Sequence, residues 1–420
     1  MGRVRCLAGV RAILGTLVIA VLLGLWASAP AHAAERDYFL FGSALSLTGR
    51  FSTEAKSMME GYELWKWWIN KQGGIKVGDK RYRVEIKYYD DKSDAATAAK
   101  LVEKLITEDK VDLIFGPYTS GVTFAASAIS EKYRTPMFEE AGLSEGLFDR
   151  GFKYLFATDV SVRLLMKRPM EYMVQELGVK KVAIVARDAI FPLAMSEAAK
   201  EFFDKYGAQI IHFEKFGAEV KDLTPILRKV QAKNPDMLML GGHLQDSIAV
   251  QKQLKEIGYR PKGVFYPIGA NHPEFVPELG KDAEYATSFL ALHPDMYFKG
   301  KHMDTNQFYA LVKERYGYGL PKILDEEISG AMSMCLVVQE VIETAGVAPP
   351  FDQAKKDKVR DTAAKIELTT FYGPLKFHEK GYNVAKEWTT IQVQDGQLVN
   401  VDPKFRAPKG KAIYPAPPWK

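Results

Sequence analysis

SLTGRFSTEAKSMMEGYELWKWWINKQGGI, residues 46–75, reads as a strand end, a glycine turn and a long helix stopped by Gly73 and Gly74. Met58, Tyr62, Trp65 and Ile69 recur at helical spacing, which sets them on one face turned to a core. Ser52 and Thr53 are placed to offer hydroxyls to the first free amides. The helix is expected to pack inward and to aim its amino end at a cleft.

Upstream, Arg3, Arg5 and Arg11 precede an apolar run from Ala12 to Trp26, and Ala31-His32-Ala33 supplies the small residues of a cleavage site. Residues 1–33 therefore read as a cleaved secretion signal. The run of about 15 residues is shorter than the ~20 needed to cross a bilayer, and no later segment reads as long or apolar enough. Cys6 lies before the run, where it cannot be the lipidated residue of a lipoprotein signal. The expectation is a soluble protein outside the cytoplasm.

Composition narrows the class. The whole chain carries 57 Lys+Arg against 52 Asp+Glu, for a net charge of +5; without the three signal arginines the basic count is 54 and the net charge +2. That balance leaves no footprint for nucleic acid. Beyond the signal only Cys335 remains, inside the apolar run 331–342, so no intrachain disulfide is available and a buried thiol is the plain reading. The chain after residue 33 is longer than one core usually serves, so two lobes are expected.

Strands and helices alternate along the rest. Residues 81–89 alternate through Tyr82, Val84, Ile86 and Tyr88; Ser93 or Asp94 caps an alanine-rich helix to Ile106; residues 111–115 form a short buried strand. After Phe156 the pattern restarts with a helix interrupted by Pro169, and strands at 181–186, 209–213, 237–240 and 263–266 alternate with helices at 193–206, near 223–232 and up to Gly258. This order builds parallel sheets wrapped by helices. No low-complexity linker separates two halves, so the lobes share crossover segments. The tail, 407–420, carries four prolines and is expected to lie extended on the surface.

Leu47-Thr48-Gly49, the helix end Ile69-Asn70-Lys71-Gln72-Gly73-Gly74-Ile75, Gly116-Pro117-Tyr118-Thr119-Ser120, Val182-Ala183-Ile184-Val185, Gly241-Gly242 after a strand, and Tyr372-Gly373-Pro374-Leu375-Lys376-Phe377 with Lys380-Gly381 stand in this order. Over nearly the whole chain after the signal, they resemble the leucine/isoleucine/valine-binding family of periplasmic ABC-transporter receptors. The resemblance implies an α/β fold of type I periplasmic binding proteins, with two Rossmann-like lobes, parallel central sheets and three crossovers. By analogy, residues 36–157 and 291–371 form the N-terminal lobe and 158–290 and 372–406 the C-terminal lobe. It also implies a periplasmic receptor, a monomer, that hands a small ligand to an inner-membrane ABC permease, with no cofactor, metal or nucleic acid.

Ligands of open parallel sheets sit beyond the carboxyl ends of strands. The segment Thr119-Ser120-Gly121 lies between a strand ending at Phe115 and a helix through Tyr133, where free amides and the helix dipole suit an anion. Ser120 either binds or simply caps the helix; in the family the residue at this position holds the ligand carboxylate. Ala141 and Leu143 align with the next wall, and Leu143 lacks the hydroxyl of relatives. Where amino-acid-binding relatives place an acid for the ligand ammonium, the alignment gives Ile268, and an unpaired buried ammonium would cost several kcal/mol. Phe191 replaces an aromatic hydroxyl, and His243 follows Gly241-Gly242. Tyr118, Leu143, Phe191 and Ile268 would then line a pocket for an apolar or aromatic carboxylate.

Arg163 at the first crossover, and Arg187 after the strand 181–186, are candidates to reach the anion from the opposite lobe, Arg163 being favoured. His243 is a candidate hydrogen-bond donor. Glu54 is the main rival partner for an ammonium, with Asp188, Glu139 and Glu140 behind it; any of them would restore an amino acid as ligand. Gly142-Leu143-Ser144-Glu145-Gly146 matches the hydrolase pattern G-x-S-x-G, but no helix is expected to follow and seat the elbow. The six histidines after the signal show no metal-ligand spacing. The remaining alternatives are a ligand sensor of the same fold and, remotely, a serine hydrolase.

Overall fold

The computed structural model describes residues 36–217, 219–403 and 410–419. The secretion signal read over residues 1–33 lies outside them. In chain order the first elements are β1 (Tyr38–Leu45), α1 (Ser52–Lys71), β2 (Ile75–Val77), β3 (Lys80–Asp90), α2 (Ala95–Thr107), β4 (Leu113–Phe115), α3 (Ser120–Lys132), β5 (Met137–Glu139), α4 (Glu145–Phe148) and β6 (Leu155–Val160). Then follow α5 (Val162–Gln175), β7 (Lys181–Arg187), α6 (Ile190–Tyr206), β8 (Gln209–Phe216), α7 (Thr224–Lys233), β9 (Met237–Gly241), α8 (Leu244–Glu256), β10 (Val264–Phe265), α9 (Phe275–Leu279) and β11 (Ala286–Leu290). The last are α10 (Thr305–Tyr316), α11 (Glu326–Ala345), α12 (Gln353–Ala363), β12 (Glu367–Thr370), β13 (Gly373–Lys376), β14 (Tyr382–Asn383), β15 (Thr389–Gln394) and β16 (Gln397–Asp402).

Two seven-stranded sheets result, ordered β14-β6-β5-β4-β1-β3-β2 and β16-β15-β11-β10-β9-β7-β8. β1 pairs in parallel with β3 and β4, and β7 with β8 and β9; only β2, β15 and β16 join these sheets antiparallel. The chain passes between sheets three times, after β6, after β11 and after β14. Relative to the boundaries expected at 157 and 372, β6 continues to Val160, and β14 still pairs with β6 in the first sheet. Entry into the second sheet comes only at Thr389.

Local chemistry explains α1. Met58, Tyr62, Trp65 and Ile69 are fully buried, as their spacing requires. Gly73 (φ +90°) and Gly74 (φ +103°) stop the helix, and a Cβ on Gly74 would run into the Tyr82 carbonyl, so only glycine fits. The expected hydroxyl cap is absent: Phe51 stands at the N-cap, and Ser52 and Thr53 lie within the first turn. Asp94 does cap α2, accepting from the Thr97 amide at 2.7 Å. Pro169 falls inside α5, which runs through it.

Against the sequence expectation, α11 is long and apolar enough to cross a membrane. Here it is the core helix of the first lobe, packed on α1 and buried along nearly its whole length, with Cys335 fully buried. Apolar neighbours on all sides, rather than lipid, explain its composition. Residues 410–419 lie along the second lobe, where the Ala416 amide donates to the Lys262 carbonyl at 2.7 Å and Arg260 covers the Trp419 ring at 4.1 Å.

Candidate functional site

The turn after β4 carries the strained residue of the site. Thr119 sits at φ +68°, ψ 146°, which swings the chain so that α3 starts at Ser120 with no side chain capping it. The Ser120 hydroxyl, fully buried, accepts from the Leu143 and Ser144 amides at 3.1 Å each. Beside it, Glu139 binds the amides of Ala141 (2.7 Å) and Gly142 (2.9 Å) and the Thr123 hydroxyl (2.9 Å). Gly116 is required here, because a Cβ would collide with the Glu139 carboxylate. Burial pushes Glu139 up to about 7, the bonds to Ala141 and Thr123 pulling the other way. Two buried acceptors thus hold the 139–144 loop against the start of α3.

A cavity opens in front of that loop. Its volume is about 50 Å³, and about 450 Å³ with the open solvent at its mouth included. From the first lobe come Tyr118 and Thr119 after β4, Glu140, Ala141 and Leu143 after β5, and Asp159 at the end of β6. The start of α11 in the same lobe adds Glu326 and Glu327, the second lobe adds Phe191 at the start of α6 and Ile268 after β10, and the last passage between the sheets adds Tyr372 and Trp388.

Four carboxyl groups in one small cavity dominate its electrostatics. Asp159 is neutralised: Lys386 Nζ lies 2.9 Å from Oδ2, Trp388 Nε1 donates to Oδ1 at 2.9 Å, and both charged side chains are buried. Lys386 also stands 3.8 Å over the Tyr372 ring, and burial lowers its pKa. Glu326 accepts from the Ala291 amide (3.0 Å) and the Asn271 side chain (2.7 Å). Glu140 keeps one buried oxygen, Oε1, without a partner. Gly330 makes room for its other oxygen, since a Cβ there would overlap Oε2. Burial, and then neighbouring carboxylates, push Glu140 and Glu327 well above the usual range. For Glu326 burial likewise raises the pKa, against the pull of the Ala291 amide.

Tyr118, Thr119, Ala141, Leu143, Phe191 and Ile268 thus meet on one cavity, as the sequence suggested. Ser120 and Gly121 lie one step behind, at the helix start. His243 is buried outside the cavity, its ring 5.0 Å from Phe51, 6.0 Å from Tyr118 and 5.8 Å from Phe191. Burial lowers it to about 4, so the cluster packs a neutral imidazole, with Nδ1 unpartnered. Glu54 is buried near the same mouth rather than on the cavity wall, and burial raises it to about 7.

The arginine expectations need correction. Arg163 is exposed and pairs with Glu201, Nε to Oε2 at 2.9 Å, on the outer face where α5 meets α6. Its place at the helix start turns it to solvent, not to the cavity. Arg187 is buried and held in a two-pronged pair with Asp246, to which Arg50 adds a contact at 3.6 Å. That pair lies beside His243, whose amide donates to Asp246 at 3.0 Å, and leaves Arg187 committed to a protein carboxylate.

Acids supply what the sequence reading missed. The lack of a counter-charge inferred from Ile268 does not hold for the cavity, because Glu140, Glu326 and Glu327 enter it from other elements. Glu140 was named only as a minor rival. Asp325, Glu326 and Glu327 read as ordinary first-turn acids of α11, and Asp159 as one polar position in an apolar strand. That buried strand acid was the one legible signal. The fold also gathers His272, Asp325 and Glu327 with ligand atoms within 4.8 Å, which linear spacing could not show. There Asp325 already accepts from Lys322 (2.9 Å) and Ser57 (2.8 Å). At the G-x-S-x-G stretch, α4 does follow Ser144, but as a four-residue turn.

Two α/β lobes with a polar cavity between their sheets define a two-lobed ligand-binding protein. Residues 41–397 match the periplasmic binding protein family, and the chain belongs to it. The Leu/Ile/Val-binding protein homolog 7 of Brucella suis is 23% identical over 406 residues, covering 93% of this chain and 96% of that one. Leucine-binding protein LivK of Thermotoga maritima superposes with a TM-score of 0.75 at 20% identity, over 87% of this chain and 98% of that one. A solute-binding protein of R. palustris in complex with benzoate gives 0.72 at 17% identity, over 87% and 95%. LivJ of Streptococcus pneumoniae in complex with isoleucine gives 0.73 at 21%, over 86% and 97%. Proteins of this family are solute-binding receptors.

Proposed function

We propose that the chain is the periplasmic receptor of an ABC importer and that it captures a small amino acid between its lobes. One observation carries the ligand assignment: Thr119, at the uncapped start of α3, lines a cavity that the buried acid Glu327 also lines, with no cation among the described residues lining it. The ligand carboxylate would take the amides of Ser120 and Gly121 and the positive end of the helix dipole. Its ammonium would face Glu327, whose burial makes a cationic partner worth more than in water. Lobe closure then brings Phe191 and Ile268 over the ligand, and the closed form docks on a permease. A monomer suffices for this cycle.

Leu143, Phe191 and Ile268 give one wall an apolar face, which keeps an apolar or aromatic acid as the second reading. Titration calorimetry separates the two. The common amino acids, their N-acetyl derivatives, benzoate and short aliphatic acids would be compared on the purified chain. Binding of free amino acids that acetylation abolishes is expected; equal binding of acids without an amine refutes the ammonium assignment. A sensor role in place of transport would appear as binding without stimulation of permease-coupled uptake.

A further inference from the structure

We infer that the ligand carries a second nitrogen group, at the end of its side chain, that donates a hydrogen bond to the Glu140 carboxyl group in the cavity wall. The inference rests on the amino-acid reading above and specifies which amino acids. Thr119, Ala141 and Leu143 line the cavity beside the start of α3, and Glu327 lines it too. Asp159, Tyr372 and Trp388 form a second group of lining residues, tied together by Lys386, with Glu140 beside Tyr372 at Gly330.

The nitrogen donors beside this group are already committed: Lys386 and Trp388 Nε1 to Asp159, and Asn271 to Glu326. The Glu140 carboxyl is left with an oxygen to be paired. Glu140 is 7% exposed and lines the cavity, and its Oε1 has no partner among the described residues. The Tyr372 hydroxyl and the second Glu140 oxygen both approach Gly330, so hydroxyl and carboxyl share one locality. An aliphatic side chain placed there would leave a buried carboxyl oxygen unsatisfied, which weakens binding. A side chain ending in a carboxylate would stand against the Glu140 and Glu326 carboxyl groups. An amine, guanidine or amide terminus supplies an N–H to Glu140 Oε1.

Calorimetry with near-isosteric amino acids tests this directly: ornithine, glutamine, norleucine and glutamate on the purified chain. Either nitrogen-terminated ligand is expected to bind about tenfold or more tightly than both norleucine and glutamate, and the ranking of ornithine against glutamine separates a charged from a neutral donor. Glu140→Gln, which keeps shape and folding, is expected to shrink that preference about tenfold. Norleucine or leucine binding as tightly as glutamine and ornithine overturns the inference while leaving the amino-acid reading intact. Binding of benzoate with no amino acid bound overturns both.

Discussion

Replacing Lys386 by methionine removes a charge while nearly keeping the stem, and the structure sets a large penalty for it. Lys386 and Asp159 each have 4% of the side chain exposed, with Nζ and Oδ2 2.9 Å apart. In Lys386→Met, Asp159 would keep only Trp388 Nε1 (2.9 Å) and the Val160 amide (2.7 Å). Removing one member of a buried pair costs about 3–5 kcal/mol, and the lost contact of Nζ over Tyr372 adds about 1 kcal/mol. Because Asp159 ends β6 in one sheet and Lys386 precedes β15 in the other, the loss falls on the last passage between the lobes. With unfolding entropy of about 2.1 cal/mol/K per residue, the unit from Asp37 to Lys420 has about 0.8 kcal/mol/K, so a loss of about 4–6 kcal/mol should lower Tm by about 5–8 °C. Urea denaturation followed by circular dichroism measures the free energy, and the double variant Lys386→Met/Asp159→Asn should recover about 2 kcal/mol or more. A single-variant loss below about 1 kcal/mol, or a double variant no better than the single, refutes the pair as the pin of this passage.

Ser120→Ala strands two buried amides, those of Leu143 and Ser144, and should cost about 2–4 kcal/mol in denaturation together with weaker ligand binding; unchanged stability would show that the loop does not hang on this hydroxyl. Gly330→Ala places a Cβ on Glu140 Oε2 and should shift ligand preference in calorimetry while helical content is kept. Glu54, buried and raised to about 7, holds a proton in the folded state that it loses unfolded above about 4.5. Its contribution to stability is therefore full at low pH and is lost as pH rises through 7. Between pH 6 and 8, Glu54→Gln should lose about 1–1.5 kcal/mol less stability than the parent, and parallel pH profiles for the two would exclude Glu54 as the titrating group. His243, lowered to about 4, acts in the opposite sense and is common to both chains.

Most of the fold was legible because its determinants are local. The face of Met58, Tyr62, Trp65 and Ile69, the glycine stop at 73–74, the Asp94 cap and the alternation of buried strands with helices each depend on residues a few positions apart. The mouth side of the site was legible for the same reason, since a strand, a short turn and a helix start at Ser120 are contiguous. The misread cases involve distance. Arg163 looks inward at a crossover but finds Glu201 on the neighbouring helix, and Ser52 and Thr53 yield the cap position to Phe51.

Sequence alone thus determined an α/β chain of two lobes with an anion-suited helix start between them. The tertiary structure decided the character of the cavity, because Glu140, Asp159, Glu326 and Glu327 come from the loop after β5, the end of β6 and the start of α11, segments far apart in sequence that only the folded chain brings together. Whether an acid is solvated or buried, and whether Lys386 or a ligand neutralises it, is a matter of distances across the fold. Periodicity along the chain carries no record of those distances.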